Sequence, residues 1–150
     1  MSKSNTKKTK KPKIRVTALG LILKEDLIFL SQGYDQVKHQ TFYRALGGGV
    51  KFGESSIDAL QREFKEEINA ELTNINYLGC IENIFVYNGE KGHEIIQLYQ
   101  CDFVDPKFYE IDELTFEEKE RKKTALWLNI EDCKMGKLLV LPEDFLNLLK

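Results

Sequence analysis

Three consecutive glycines, Gly47-Gly48-Gly49, followed closely by an acidic helical pattern, are the feature that leaves this chain the fewest options. Glycine lacks a Cβ, so such a run lets the backbone approach a ligand or another strand closely and adopt dihedrals closed to other residues. Beyond it, Ile57, Leu60, Phe64 and Ile68 recur at spacings of three and four, which places them on one stripe of a helix. Ser55 or Ser56 can cap its start, and Asn69 tolerates the left-handed conformation in which helices often finish. On that helix Glu63, Glu66 and Glu67 stand at i, i+3 and i+4, so three carboxylates crowd one face. Like charges placed this way repel by about 0.2–0.5 kcal/mol per pair. A hard divalent cation would convert the repulsion into attraction, and a bare glycine carbonyl is a further oxygen ligand for it.

A solvated amphipathic helix after a tight turn would account for the glutamate cluster alone. The spacing of the whole stretch says more. In register it is Gly48, five residues, Glu54, seven residues, then Arg62-Glu63-Phe64-Lys65-Glu66-Glu67-Ile68-Asn69-Ala70. This closely resembles the Nudix box, G-x5-E-x7-R-E-U-x-E-E-x-G-U, with U a bulky apolar residue. Every charged position is filled, Phe64 and Ala70 occupy two apolar positions, and Asn69 stands where the family has glycine. Asn is the next best residue for a left-handed helix end, so the expected structural cost is small.

The resemblance covers residues 47–70 in motif and 14–150 in layout, and it implies a fold and a chemistry. The implied fold is α/β, a Nudix-type α/β/α sandwich with a mixed β-sheet. The implied chemistry is attack of water on phosphorus in a nucleoside diphosphate linked to another moiety, be it a nucleotide, a (d)NTP or a dinucleoside polyphosphate. By the same resemblance Glu63, Glu66 and Glu67 would hold Mg²⁺ or Mn²⁺ with the Gly47 carbonyl, and Glu63 would also activate the water. Arg62 and Glu54 would form the supporting catalytic pair, which is equally a structural ion pair. The rival reading is a Nudix fold that only binds a nucleotide or a partner. Retained like-charge crowding at Glu63, Glu66 and Glu67 speaks against that, because a binding module has no use for it.

The rest of the composition sets outer bounds. With 150 residues the chain fits one domain, and 42% hydrophobic with 31% charged residues is ordinary for a globular protein. No apolar run approaches the ~18 residues a membrane helix needs. Residues 1–15 carry seven basic side chains and no acid, so a net charge of −2 overall means −9 for the remainder. An acidic body argues against broad nucleic-acid binding by the fold itself. Residues 1–13 read as a flexible lysine-rich tail whose plain role is solubility, with at most a weak role toward nucleic acid. Cys80, Cys101 and Cys133 include no C-x-x-C pair and have only His39 and His93 beside them. They read as buried or half-buried thiols of a reducing compartment rather than as a zinc site. Basic residues at the start without an apolar stretch after them make the cytoplasm the expected location.

Along the chain, Ile14 to Leu23 reads as a buried strand, Lys24-Glu25-Asp26 as a turn and Leu27 to Leu30 as its hairpin partner. Gly33 to Gln40 reads as a polar loop and Thr41 to Leu46 as one short strand with Phe42 and Arg44 on the same face. Leu72 to Tyr87 suggests two strand pieces, joined by Asn88-Gly89 to a long strand ending at Val104. Residues 110–123 suggest at most a short exposed helix, or an irregular loop able to close over a site. Ala125 to Leu128 reads as a strand, and Pro142 opens a C-terminal packing helix that buries Phe145, Leu148 and Leu149.

For substrate, Arg44 is a candidate phosphate contact, and Phe85 and Tyr87 are candidate walls for a base, although aromatic residues are common in strands. Tyr87 lies seventeen residues past the box, as in dinucleoside polyphosphate hydrolases. A general base free of metal charge would come from outside the helix, with Glu118 or Glu120 preferred to Glu94, which is expected to sit near a hairpin tip in water. A chain beginning at Lys13 is expected to keep its Tm and its kcat/KM. Loss of salt-sensitive RNA binding on that truncation would instead make the tail a functional arm.

Overall fold

The computed structural model describes residues 11–149, so residues 1–10 of the lysine-rich tail lie outside the described residues. Two sheets are built from nine strands: β1 Arg15–Leu21, β2 Leu23–Lys24, β3 Leu27–Asp35, β4 Gln40–Arg44, β5 Leu46–Gly49, β6 Leu72–Tyr87, β7 Glu90–Phe103, β8 Glu113–Glu118 and β9 Arg121–Asn129. One sheet runs β5-β1-β7-β6 and is mixed, because β1 and β7 are parallel while β5 and β6 pair antiparallel with their neighbours. The other is antiparallel, in the order β2-β3-β9-β8, with β4 also on β3.

The helix α1, Ser56–Ile68, covers one face of the mixed sheet with Ala59, Leu60 and Phe64 fully buried. The stripe is rotated slightly from the expected one, since Ala59 is inside and Ile57 is exposed. Ser55 caps its start by accepting the Asp58 amide, and Asn69 ends it at φ 53°, in the left-handed region. Gly20 lies beneath this helix, where a Cβ would stand 3.1 Å from Leu60 and 3.2 Å from Phe64. A second core joins Leu19, Leu21, Ile28, Leu30, Ile96 and Leu98 to Phe145 and Leu146 of a C-terminal 3-10 helix, Glu143–Leu148. That segment packs as expected but with the tighter winding, and Leu148 and Leu149 are only partly buried. Two short helices, α2 Lys107–Glu110 and α3 Ile130–Lys134, finish the chain's turns.

Several local expectations are corrected by pairing between distant segments. Gly33 to Gln40 is a tight hairpin rather than a loop, since β3 continues to Asp35 and β4 starts at Gln40. Thr41 to Leu46 is two strands, and the chain changes sheets at Ala45. Leu72 to Tyr87 is one edge strand with irregularities between Thr73 and Asn76 and between Tyr77 and Gly79, so the expected breaks are bulges. Residues 113–129 form the β8–β9 hairpin in place of the short helix or closing loop. The helical i,i+4 charge pairs there are outweighed by Leu114, Phe116, Ala125 and Trp127, which alternate with period two and contribute to the core. Cys80 is exposed, contrary to expectation, while Cys101 and Cys133 are buried, and burial pushes the Cys101 thiol up to about 12.

Two hairpin turns contrast in their chemistry. The β6–β7 turn uses Asn88 and Gly89 at φ 50° and 81°, the residues that such a turn favours. The β8–β9 turn places Lys119 and Glu120 at φ 50° and 64°, where L side chains are strained. Glu120→Gly is therefore expected to stabilise the fold by about 1 kcal/mol, read as a rise in Tm and in the urea midpoint.

Candidate active site

The site is assembled where β5 runs into α1. Gly47 has φ 140° and lies against Leu19 of β1, so close that a Cβ would fall 2.0 Å from the Ala18 carbonyl. At Gly48 a Cβ would stand 2.4 Å from the carboxyl carbon of Glu63. The glycines thus bring the strand against the helix and leave a space that the Glu63 carboxylate fills.

Arg62 ties the loop to the helix. Its Nε and Nη2 donate to the two oxygens of Glu54 at 2.7 and 3.0 Å, a bidentate pair. Its Nη2 also donates to the Gly49 carbonyl at 2.9 Å, and its Nη1 to Glu63 at 2.7 Å and Glu66 at 3.1 Å. The Arg62 hydrogen bonds, helped by the Lys51 amide, hold the Glu54 carboxyl down at about 2. The three glutamates raise the affinity of Arg62 for its proton in turn.

The three helix glutamates do not form one cluster. Glu66 turns to Arg62 and keeps a side chain 53% exposed. Glu63 and Glu67 instead converge with Glu118, at the end of β8, with ligand oxygens all within 4.8 Å of one another. Burial first, then Glu118 and Glu63, push Glu67 far above the usual carboxylate range, and its Oε1 is buried without a hydrogen-bond partner. The hydrogen bond with Glu67, and Lys123 at 2.9 Å, pull Glu118 below that range. Three carboxyl groups of which one is driven toward its neutral form, with an orphaned buried oxygen, are a donor set suited to a hard divalent cation.

Glu120 sits in the β8–β9 turn, exposed, outside this cluster. Glu94 is not at a hairpin tip in water: it is 3% exposed in the middle of the sheet, where its Oε1 accepts Arg44 at 3.0 Å and Asn83 at 3.2 Å. Arg44 therefore meets a carboxylate. Tyr87 packs edge-on against Phe42 with ring centroids 5.6 Å apart, and Phe85 lies over Gly92, where a Cβ would be 2.3 Å from its ring. Sequence reasoning put Glu94 in water because only the cross-sheet pairing with Arg44 reveals its burial. The signal that could have placed Glu118 was the period-two pattern of Leu114 and Phe116.

A family model described as NUDIX domain matches residues 13–146. The chain belongs to the Nudix family. Hydrolysis of a pyrophosphate bond is the general activity of that family, and this Nudix chain is a pyrophosphohydrolase of that class. Among solved structures it resembles the E. coli ORF135 protein, at 23% identity over 91% of this chain and 87% of that one with a TM-score of 0.58. It also resembles a MutT Nudix hydrolase from Burkholderia pseudomallei, at 20% identity, 79% and 85% coverage and a TM-score of 0.59. A MutT protein from Bacillus halodurans matches at 15% identity, 87% and 77% coverage and a TM-score of 0.59. At these identities the likeness speaks for the fold. No curated protein matched the sequence.

Gly48→Ala in this Nudix chain is expected to fold with near-unchanged Tm, because the collision is with the movable end of Glu63. Its kcat/KM should fall about 100-fold, the scale on which a misplaced catalytic group costs rate, measured on any pyrophosphate substrate the wild type cleaves.

Proposed function

We propose that the protein is a divalent-metal-dependent nucleotide pyrophosphohydrolase, cleaving a nucleoside diphosphate linked to a further group by water attack on phosphorus. The observation that carries this reading is the convergence of Glu63, Glu67 and Glu118, drawn from a helix and from a hairpin of the other sheet, onto one half-buried carboxyl cluster. Glu63 and Glu67 would hold Mg²⁺ or Mn²⁺, with the Gly47 carbonyl as a further oxygen, and Glu118 would stand beside them free to act as base. When bound, such an ion neutralises phosphate oxygens and lowers the pKa of a coordinated water.

The chain's own residues orient and balance this arrangement. Arg62 fixes Glu63 and, through Glu54, locks the glycine loop over the start of the helix. Its other contact restrains Glu66, whose role is to compensate the Arg62 charge at the rim. Glu118 faces the helix from the hairpin, kept ionised by Lys123, and accepts the proton of the attacking water. Glu120 has no part in the chemistry. Arg44, Phe85 and Tyr87 would line the side of the small-molecule substrate away from the glutamates.

Two outcomes check the reading. Chelator should abolish turnover in a screen of nucleotides, and Mg²⁺ or Mn²⁺ should restore it. Glu67→Gln and Glu118→Gln should each lower kcat by orders of magnitude, whereas Glu120→Gln keeps it and Glu66→Gln loses less. Thermal melts give a readout free of activity: Mg²⁺ should raise the Tm of the wild type and leave Glu67→Gln unmoved. Unaltered kcat in Glu67→Gln and Glu118→Gln together would sink the proposal.

A further inference from the structure

The face of the mixed sheet turned away from α1 carries polar groups outside the glutamate cluster. Glu94 is a buried carboxylate on β7, and both its bonds, from Arg44 of the other sheet and from Asn83 of β6, fall on Oε1. Among the described residues Oε2 accepts no hydrogen bond. One strand over, Thr17 is 2% exposed and its hydroxyl also has no partner. The parallel register pairs Arg15 with Glu94 and Thr17 with Ile96, so Thr17 and Glu94 are diagonal neighbours on the same face of the sheet. Leaving a buried donor or acceptor unsatisfied costs about 1–3 kcal/mol, and the orphaned Thr17 hydroxyl diagonal to the bare Oε2 of Glu94 marks a place where a ligand supplies a missing partner.

The surroundings fix that place. Thr17 is opposite Gly49, whose carbonyl accepts Arg62, so it lies one residue along β5 from the contact between Gly48 and Glu63. In the other direction the gap between the two sheets is closed by a latch between hairpin tips. Asp35 accepts the Asn88 amide while the Asn88 side chain accepts the Gln36 amide, and Phe42 meets Tyr87 across the same gap. The polar pair therefore stands between the catalytic carboxylates and an aromatic end wall.

Resting on the reading of the protein as a nucleotide hydrolase, we propose that Glu94 and Thr17 read the nucleobase, selecting an edge that presents an exocyclic amine beside a bare ring nitrogen. The carboxylate oxygen accepts from the amine, and the threonine hydroxyl donates to the ring nitrogen. Cytosine and adenine offer this edge. Uracil and hypoxanthine offer a carbonyl beside a ring N–H, which sets two oxygens of like partial charge against each other. Arg44 and Asn83 are positioning residues, since they hold Oε1 and so aim Oε2.

The test compares nucleotide pairs that differ only by amine for carbonyl, CTP with UTP and ATP with ITP. The wild type should favour the amine-bearing member at least tenfold in kcat/KM within a pair, mainly through KM. Glu94→Gln, whose amide can donate to a carbonyl, should erase or reverse the preference. Thr17→Val, which keeps the β-branched shape and removes an unpartnered hydroxyl, should retain the Tm and still lose most of the preference. Binding of α,β-methylene analogues of the same nucleotides, followed by calorimetry, reads the discrimination without turnover. Equal treatment of both members by the wild type, or a ratio unchanged in both variants, overturns the proposal while leaving nucleotide hydrolysis standing. If neither hydrolysis nor analogue binding occurs with any nucleotide, the functional reading falls and this inference with it.

Discussion

A single guanidinium holds the site together. Arg62 spends all three of its nitrogens on two carboxylates of the same helix, one carboxylate of the loop and the carbonyl of Gly49. Without it, the Ser55 cap alone would tie the loop of residues 49–55 to the start of α1, and Glu63 and Glu66 would face each other with nothing between them. Arg suits this post because its planar fork meets the Glu54 carboxylate with two parallel bonds and still has a nitrogen edge free for the helix. The three glycines are the complement of that choice, since they permit the approach of strand to helix that the Arg62 contacts then fix.

The packing beneath the site is equally specific. Gly20, Leu60 and Phe64 set how deep α1 sits on the mixed sheet, and the Tyr99 hydroxyl meets Ser56 at 2.5 Å at the helix's first turn. The helix is therefore held at both ends, by a cap and a tyrosine at one and by the left-handed Asn69 at the other. Glu67 is half-buried as a result, with its Oε1 out of reach of water. A helix free to rock would let that carboxylate reach water, and the crowding with Glu63 and Glu118 would relax.

The two sheets divide the work. The mixed sheet carries α1 and the glycine strand, and supplies Thr17 and Glu94 to the gap. The antiparallel sheet brings Arg44 and Glu118 toward it from the other side. The chain moves from one sheet to the other at Ala45, between Arg44 of the Glu94 pair and the glycine strand that lies against Glu63. Among the described residues no helix is long and apolar enough to cross a membrane.

The sequence by itself determined the local parts whose physics is local. The extent of α1, its cap at Ser55, its left-handed end at Asn69 and the Asn88-Gly89 hairpin all follow from neighbours within a few turns of chain, while the pairing of Arg62 with Glu54 was implied by the family resemblance. Tertiary structure decided which carboxylates meet. Glu66 and Glu67 are equivalent by helical spacing, yet burial against β8 takes one inward and Arg62 takes the other outward. Glu118 reads as part of a helix by its charge spacing and becomes a strand residue because Leu114 and Phe116 gain more by packing inside than the charges gain along a helix. Glu94 looks like a surface acid at the foot of a turn, and only the opposite sheet, by presenting Arg44, turns it into a buried carboxylate. Long-range pairing sets such environments, and no pattern of adjacent residues encodes which distant side chain will arrive.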